Sequence, residues 1–378
     1  MSQLRIGVIG AGVIGAMAGW QLARQGADVR IFDSYGLGHD RGASAGESRI
    51  FRTVYKEGSN YVPLLQRSGR LWRELEESTG TQLLTMCGGL TIGAADHPDV
   101  AAVQRCAEAH DLDHEVLDAA AARTRFPQHH VDDDEIMVLD PAAGVLRPEP
   151  SVQAALRAAA AAGATVLPYH PVSAVAERAD GWRITSNDTT FDVDHVLFAA
   201  GPWSPQLEPL RGLPVDVRLI TACWFAARDA AAHRPDRLPT AIRRHRTAGF
   251  SCFPLLDGVA VKIVPHHLGL ADLADPDDVP RSVAPEFARA AADAVRRLLP
   301  GLVPHPVRIG TYIEGFTPDD HALVGALPGA RNATVMAGFS GHGFKLAPVF
   351  GEIAADLVLH GKSEHDITHL EPSRFLGT

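Results

Sequence analysis

With 378 residues, 46% hydrophobic and 21% charged, the chain has the composition of an ordinary soluble globular protein and enough length for two domains. Its 45 acidic against 35 basic residues give a net charge of −10, which excludes an electrostatic nucleic-acid footprint. Cys87, Cys106, Cys223 and Cys252 form no CxxC pair, which argues against a zinc site or a disulfide framework and fits a reducing cytoplasm. Only four of the basic residues are lysines, Lys56, Lys262, Lys345 and Lys362, so each invites a reason.

Leu4 to Ile9 reads as a short buried strand, Gly10-Ala11-Gly12-Val13-Ile14-Gly15 follows at once, and Ala16 to Gln25 carries a helical pattern ended by Gly26. The five glycines between Gly7 and Gly19 would weaken a lone helix, which argues against a signal peptide or membrane anchor here. Val29 to Phe32 is a second strand, ending in Asp33. This is the βαβ dinucleotide fingerprint in its context: Gly10 and Gly12 let the backbone turn and approach a pyrophosphate, Gly15 lets helix pack on strand, and the helix start meets the phosphates with free N–H groups. Asp33, 18 residues after Gly15, is placed to accept hydrogen bonds from an adenosine ribose and to repel a 2′-phosphate.

Helical segments follow at Tyr61 to Thr79, Ser151 to Ala162 and Pro285 to Leu299. Thr189 to Ala200 ends in an apolar strand entering Gly201-Pro202-Trp203. In the run 259–264, Lys262 interrupts an apolar strand, where a lone ammonium costs free energy unless paired or hydrated; that marks a functional site. Val335 to Phe339 is another strand, entering Ser340-Gly341-His342-Gly343, then Lys345 and a helix from Val349 to Leu359. A chain that returns to its nucleotide domain at the far end builds a wall around a large cofactor, and a glycine turn opening a helix aims N–H groups at a flavin's anionic edge, so FAD is expected rather than NAD.

Taken together, GAGVIG at 10–15, Gly46-Glu47-Ser48-Arg49-Ile50-Phe51-Arg52, Tyr61-Val62-Pro63-Leu64, Thr317-Pro318-Asp319, the string from Gly338 to Lys345 and that from Gly361 to Asp366 resemble the monomeric sarcosine oxidase and N-methyltryptophan oxidase family of FAD amine oxidases. The resemblance runs nearly end to end. It implies a mixed α/β fold, a Rossmann-like FAD-binding domain (1–85, 150–215 and 320–378) interleaved with an antiparallel-sheet substrate domain (86–149 and 216–319). Cofactor contacts are assigned to Gly10, Gly12, Val13, Ile14, Gly15, Asp33, Ser44, Arg49, Val172, Gly201, Trp203, Gly341, His342, Gly343 and Lys345. Lys262, followed by His266, matches a lysine over the flavin that promotes reaction with oxygen; Arg49 matches a residue on the other flavin face. Arg52 and Lys345 match the pair that holds the substrate carboxylate, an Arg fork with a Lys point charge. Lys56 and Lys362 read as surface residues.

The departures are as informative. The family carries a cysteine bonded to the flavin five residues before Thr-Pro-Asp; here Tyr312 stands there, and no cysteine follows Cys252, so FAD without a cysteinyl bond is expected. A histidine near the flavin becomes Ala45, and two pocket tyrosines become Ser251 and Glu314. The pocket is then wider and more negative, which suits an amino acid bulkier or more cationic than sarcosine; Glu314 either faces the substrate or pairs with an arginine. The implied reaction is oxidation of the C–N bond of an amino acid or N-alkyl amino acid to an imine, with oxygen reduced to hydrogen peroxide and His266 tuning amine protonation. A dehydrogenase with a protein or quinone acceptor and a non-catalytic FAD-bound scaffold are the competing readings. No membrane or nucleic-acid partner is expected, and the chain is expected to be a monomer or weak homodimer.

Overall fold

A computed structural model of the chain describes residues 3–258, 260–266, 268–280 and 282–376, so Val259 of the lysine-bearing run lies outside the described residues. The predicted βαβ unit forms from Arg5–Ile9, the helix Val13–Arg24 and Asp28–Phe32. These strands belong to a six-stranded sheet in the spatial order 323–326, 333–337, 195–198, 5–9, 28–32, 165–167. It is parallel except at its edge, where Leu323–Ala326 runs against Ala333–Ala337. The run 189–200 divides: Thr189–Val193 joins a three-stranded antiparallel sheet with Val172–Arg178 and Gly181–Ser186, while His195–Phe198 enters the parallel sheet. The small sheet lies on the parallel one through Trp182, Ile184 and Val193 against Ile9, Phe32 and Phe198.

The last helix begins earlier than the sequence pattern suggests, at Gly343 rather than Val349, and runs to His360 with Pro348 inside it. Proline removes an N–H donor from the helical ladder. Nearby, the Lys345 carbonyl accepts hydrogen bonds from Ser68 Oγ (2.6 Å) and Trp72 Nε1 (3.1 Å) on the helix Val62–Thr79, which pins the first turn from outside. Gly351 meets the Val13–Arg24 helix so closely that a Cβ there would lie 2.6 Å from the Met17 carbonyl carbon.

The second large sheet has nine strands in the order 271–273, 216–227, 260–265, 248–253, 240–245, 89–94, 135–140, 115–117, with 302–316 also paired to 216–227. Thr240–His245 pairs in parallel with Gly89–Ala94; the other pairings are antiparallel. Successive side chains of a strand face opposite sides. Cys223, Phe225, Ala241, Phe250, Cys252, Val261 and Ile263 point one way, into a core closed by Phe287, Ala291, Val295 and Leu298 of the helix Pro285–Leu298. Their neighbours at 222, 242, 251, 253 and 262 face a cavity instead.

Candidate active site

One cavity of about 1160 Å³ extends from the glycine turn at 10–12 to the large antiparallel sheet. That exceeds the roughly 300–1,000 Å³ of a drug-sized ligand site. Gly10, Gly12, Val13, Ile14, Asp33, Ser44, Arg49, Val172, Gly201, Trp203, Gly341, His342, Gly343 and Lys345 all line it, as do Arg52, Ser251, Lys262, His266 and Glu314. Gly15 is the exception among the sequence-derived contacts. A Cβ at Gly15 would lie 1.8 Å from the Gly10 carbonyl oxygen, so this glycine serves helix–strand packing and does not line the cavity.

At the nucleotide end, Gly10 holds φ +100° and Gly12 opens the helix with no side-chain cap. The turn is braced from inside the protein: Asp33 accepts from Ala11 N–H (2.8 Å) and Tyr35 N–H (2.9 Å), and Ser44 Oγ accepts from Val13 N–H (3.0 Å). His39 Nδ1 accepts the Arg41 N–H, which leaves the ring proton on Nε2, 3.3 Å from Asp33 Oδ1. Trp203 Nε1 donates to Asp277 (2.9 Å) and so closes this end with a loop from the antiparallel-sheet side.

Lys262 is 5% exposed and lies opposite Trp224 on one neighbouring strand and Phe253 on the other. Its Nζ sits 4.7 Å from the Phe253 ring centre and 5.8 Å from that of Trp224, and donates to the carbonyls of Gly46 (2.7 Å) and Ser48 (3.0 Å). An ammonium has three donors. Burial, with the Arg49 charge adding to it, holds the Lys262 pKa well below the usual lysine range. Arg49 similarly donates to backbone, to Ser48 and Ala43 carbonyls (2.9 and 2.7 Å), and no carboxylate pairs with it among the described residues. Tyr312 lies against Gly46, where a Cβ would approach its ring to 3.1 Å.

The substrate-side cations are more heavily countered than the sequence indicates. Arg52 Nη2 donates to both oxygens of Glu57 (3.0 and 3.1 Å), while its Nη1 is buried without a partner among the described residues. Burial would raise the Glu57 pKa, but Arg52, Lys345 and Lys56 outweigh it and hold the carboxyl at about 2. Lys345, 7% exposed, donates to Tyr55 Oη and the His342 carbonyl, both at 3.2 Å. Burial, reinforced by Arg52, pulls its pKa down to about 7. Lys56, read above as a surface residue, is a cavity residue lying 3.7 Å from both Glu57 and Asp99. Glu314 accepts the Gly341 N–H (3.1 Å); burial raises its pKa against the pull of Arg49. No arginine forms an ion pair with it among the described residues, so the arginine alternative is not realised.

Glu57, Asp99 and Arg244 are the residues that sequence reading missed. Arg244 donates through Nη1 to His266 Nδ1, and its Nε lies 2.7 Å from Asp99 Oδ2. Guanidinium cannot accept, so His266 Nδ1 must, and the ring is neutral with its proton on Nε2. Nε2 then donates to Ser251 Oγ, 2.9 Å away. In this arrangement His266 is placed as a donor to Ser251.

The residues present fit a flavin dinucleotide: a helix that opens on Gly12 behind a glycine turn, a cavity larger than one small ligand requires, and the buried Lys262 and half-buried Arg49, held by carbonyls and rings among the described residues. Among the described residues no helix is long and apolar enough to cross a membrane. The pattern of the DAO family, FAD dependent oxidoreductase, matches residues 5–357. Monomeric sarcosine oxidase of Streptomyces avermitilis is 36% identical over 373 residues, covering 97% of this chain and 96% of the relative. N-methyl-L-tryptophan oxidase of Salmonella typhimurium is 34% identical over 376 residues, covering 97% and 98%. In fold, the chain is similar to NikD, an unusual amino acid oxidase essential for nikkomycin biosynthesis (TM-score 0.86, 22% identity, 98% of each chain), and to L-proline dehydrogenase from P. horikoshii (TM-score 0.85, 20% identity, 99% and 98%).

Proposed function

We propose that this chain, which belongs to the DAO family of FAD dependent oxidoreductases, oxidises the C–N bond of an N-methyl amino acid bulkier than sarcosine and passes the electrons to oxygen. The observation that carries the reading is the continuous cavity that joins the glycine turn to Arg52 and Lys345. The first segment set, 1–85, 150–215 and 320–378, would hold FAD and the second, 86–149 and 216–319, the substrate. In support, the strands of the parallel sheet fall in the first set and those of the nine-stranded sheet in the second.

Bound FAD supplies the electron acceptor for amine oxidation. The chain's own part is to bind and orient. Arg52 and Lys345 present cationic donors to the substrate carboxylate, and positioning by such a clamp supplies much of the rate. The neutral His266 keeps the Ser251 hydroxyl in place. Glu314 holds the Gly341 amide, so the start of the last helix is fixed before substrate arrives. Lys262 is a buried cation prepositioned by two carbonyls, suited to stabilising negative charge that develops on oxygen.

The test is anaerobic mixing of the FAD-loaded protein with N-methyl amino acids. Bleaching of the flavin followed by rapid recolouring in air is expected, with recolouring slowed and bleaching retained in Lys262→Met. Bleaching without recolouring in air would convert the reading to a dehydrogenase, and no bleaching by any amino acid would leave only a scaffold. The flavin is held without a thioether, because none of the four cysteines lines the cavity. Acid precipitation therefore releases the yellow colour to the supernatant, and colour retained in the pellet would show a covalent bond.

A further inference from the structure

The Arg244 side of the cavity carries polar groups that the Arg52–Lys345 clamp does not include. Arg244 and Ser251 sit on adjacent antiparallel strands: Arg244 is opposite Gly249 and Ser251 is opposite Ile242, which makes the two side chains diagonal neighbours on the cavity face. Gly249 supplies the room. A Cβ there would stand 3.2 Å from His266 Nδ1 and 3.8 Å from Arg244 Nη1, crowding the contact on which the arrangement depends.

The donor inventory then points into the cavity. Arg244 commits Nη1 to His266 and places Nε beside Asp99, while Nη2 donates no hydrogen bond to a described residue. Ser251 Oγ accepts from His266 Nε2–H, so its own proton remains to be donated, and no described residue receives it. Two donors, one of them cationic, therefore converge from a wall that faces Arg52; Arg52 and Glu57 are both close enough to act on the Arg244 charge. Around this end Arg52, Lys56, Arg244 and Lys345 face the two carboxylates Glu57 and Asp99. Glu314 near Lys345 adds a third carboxylate, and an α-carboxylate held by Arg52 and Lys345 leaves Arg244 Nη2 and the Ser251 hydroxyl unused. Glu314, the residue that would favour a cationic side chain, is already engaged by the Gly341 N–H.

We propose that the substrate's side chain ends in a second carboxylate, received by Arg244 Nη2 and the Ser251 hydroxyl, so that the enzyme acts on an N-methyl dicarboxylic amino acid. Asp99 and His266 are positioning residues here: the one orients the guanidinium, and the other turns the serine into a donor. The proposal rests on the amino acid oxidase reading above and specifies its substrate.

The test compares N-methyl-aspartate and N-methyl-glutamate with N-methyl-asparagine, N-methyl-glutamine, N-methyl-leucine and N-methyl-lysine on the FAD-loaded protein. At least one acid exceeds its amide in kcat/KM by about 10- to 100-fold, the range of a hydrogen bond to a charged group. Arg244→Met collapses that ratio towards one, and Ser251→Ala reduces it. A readout independent of turnover is perturbation of the flavin spectrum by simple anions: succinate or glutarate binds at least tenfold more tightly than acetate to the unmodified protein. Equal rates for acids and amides, a preference for N-methyl-lysine, or equal binding of mono- and dicarboxylates overturns the proposal. If no N-methyl amino acid reduces the flavin at all, the oxidase reading falls instead, so the two failures are distinct.

Discussion

Burial pulls the pKa of Lys345 down to about 7. Its charge is opposed by burial, by Arg52 and by Lys56, and supported by Glu57 and Glu314, with Tyr55 and the His342 carbonyl as hydrogen-bond partners. A carboxylate is clamped by the protonated amine, so affinity is full below pH 7 and falls as pH rises through about 7. Titrating acetate binding by the flavin spectrum avoids the amine's own ionisation and should show that loss. Lys345→Met should bind weakly at every pH and lose the dependence. Glu57→Gln removes a charge that favours the ammonium, so the loss should move to lower pH. Some of these residues were legible and some were not, for physical reasons. Lys262 stood out because an ammonium inside an apolar run has few innocent explanations. Arg244 did not, because Arg243-Arg244-His245-Arg246 looks uniformly solvated. Only strand phase separates Arg243, fully buried against Glu135, from Arg244 on the cavity wall. Asp99 carries no signal at all, since its partners Lys56 and Arg244 are distant in sequence and are brought together by folding.

Elements were read best where the pattern was local. The first strand, its helix and the second strand appeared within a residue or a few of their expected places, because glycine spacing and apolar runs act over one or two turns. The last helix was cut short in prediction because Gly341, Gly343 and Pro348 look like breakers. It starts at Gly343 and runs through Pro348 because Ser68 and Trp72 hold its first turn and because it packs on the Val13–Arg24 helix. Gly351 sits at that crossing with backbone, not a flexible side chain, in the way of any substituent. Gly351→Ala should therefore push the helices apart and cost about 1–3 kcal/mol, the usual range for overpacking. Thermal unfolding measures it as a Tm lowered by a few degrees. An unchanged Tm would mean that the crossing relaxes freely.

At the scale of the whole molecule, the cavity lies between two large sheets, with one apolar cluster on each face of the parallel strands and another between the antiparallel strands and the helix Pro285–Leu298. A mixed α/β fold was expected from the resemblance, but the strand order was not readable: the pairing of 89–94 with 240–245 joins segments far apart in the chain, and nothing local encodes it. A ligand that fills the space between the two sheets binds the folded state alone. Stripping FAD should lower the Tm, and restoring it at 1,000 times its Kd should return about 4 kcal/mol. A Tm that does not respond to FAD would place the cofactor elsewhere.

The spatial order of the parallel sheet also sets a timetable for biosynthesis. Its oldest strand, 5–9, lies beside 195–198, and the strands outside that are 333–337 and 323–326, translated near the end. A nascent chain of 300 residues already carries the glycine turn, Arg52 and the Arg244 wall, yet lacks Gly341, His342 and Lys345. At about 5–20 residues per second, the ribosome takes seconds to add them. During that interval the glycine turn is present without the wall that would close the cavity, so cofactor capture follows the synthesis of residues 323–345.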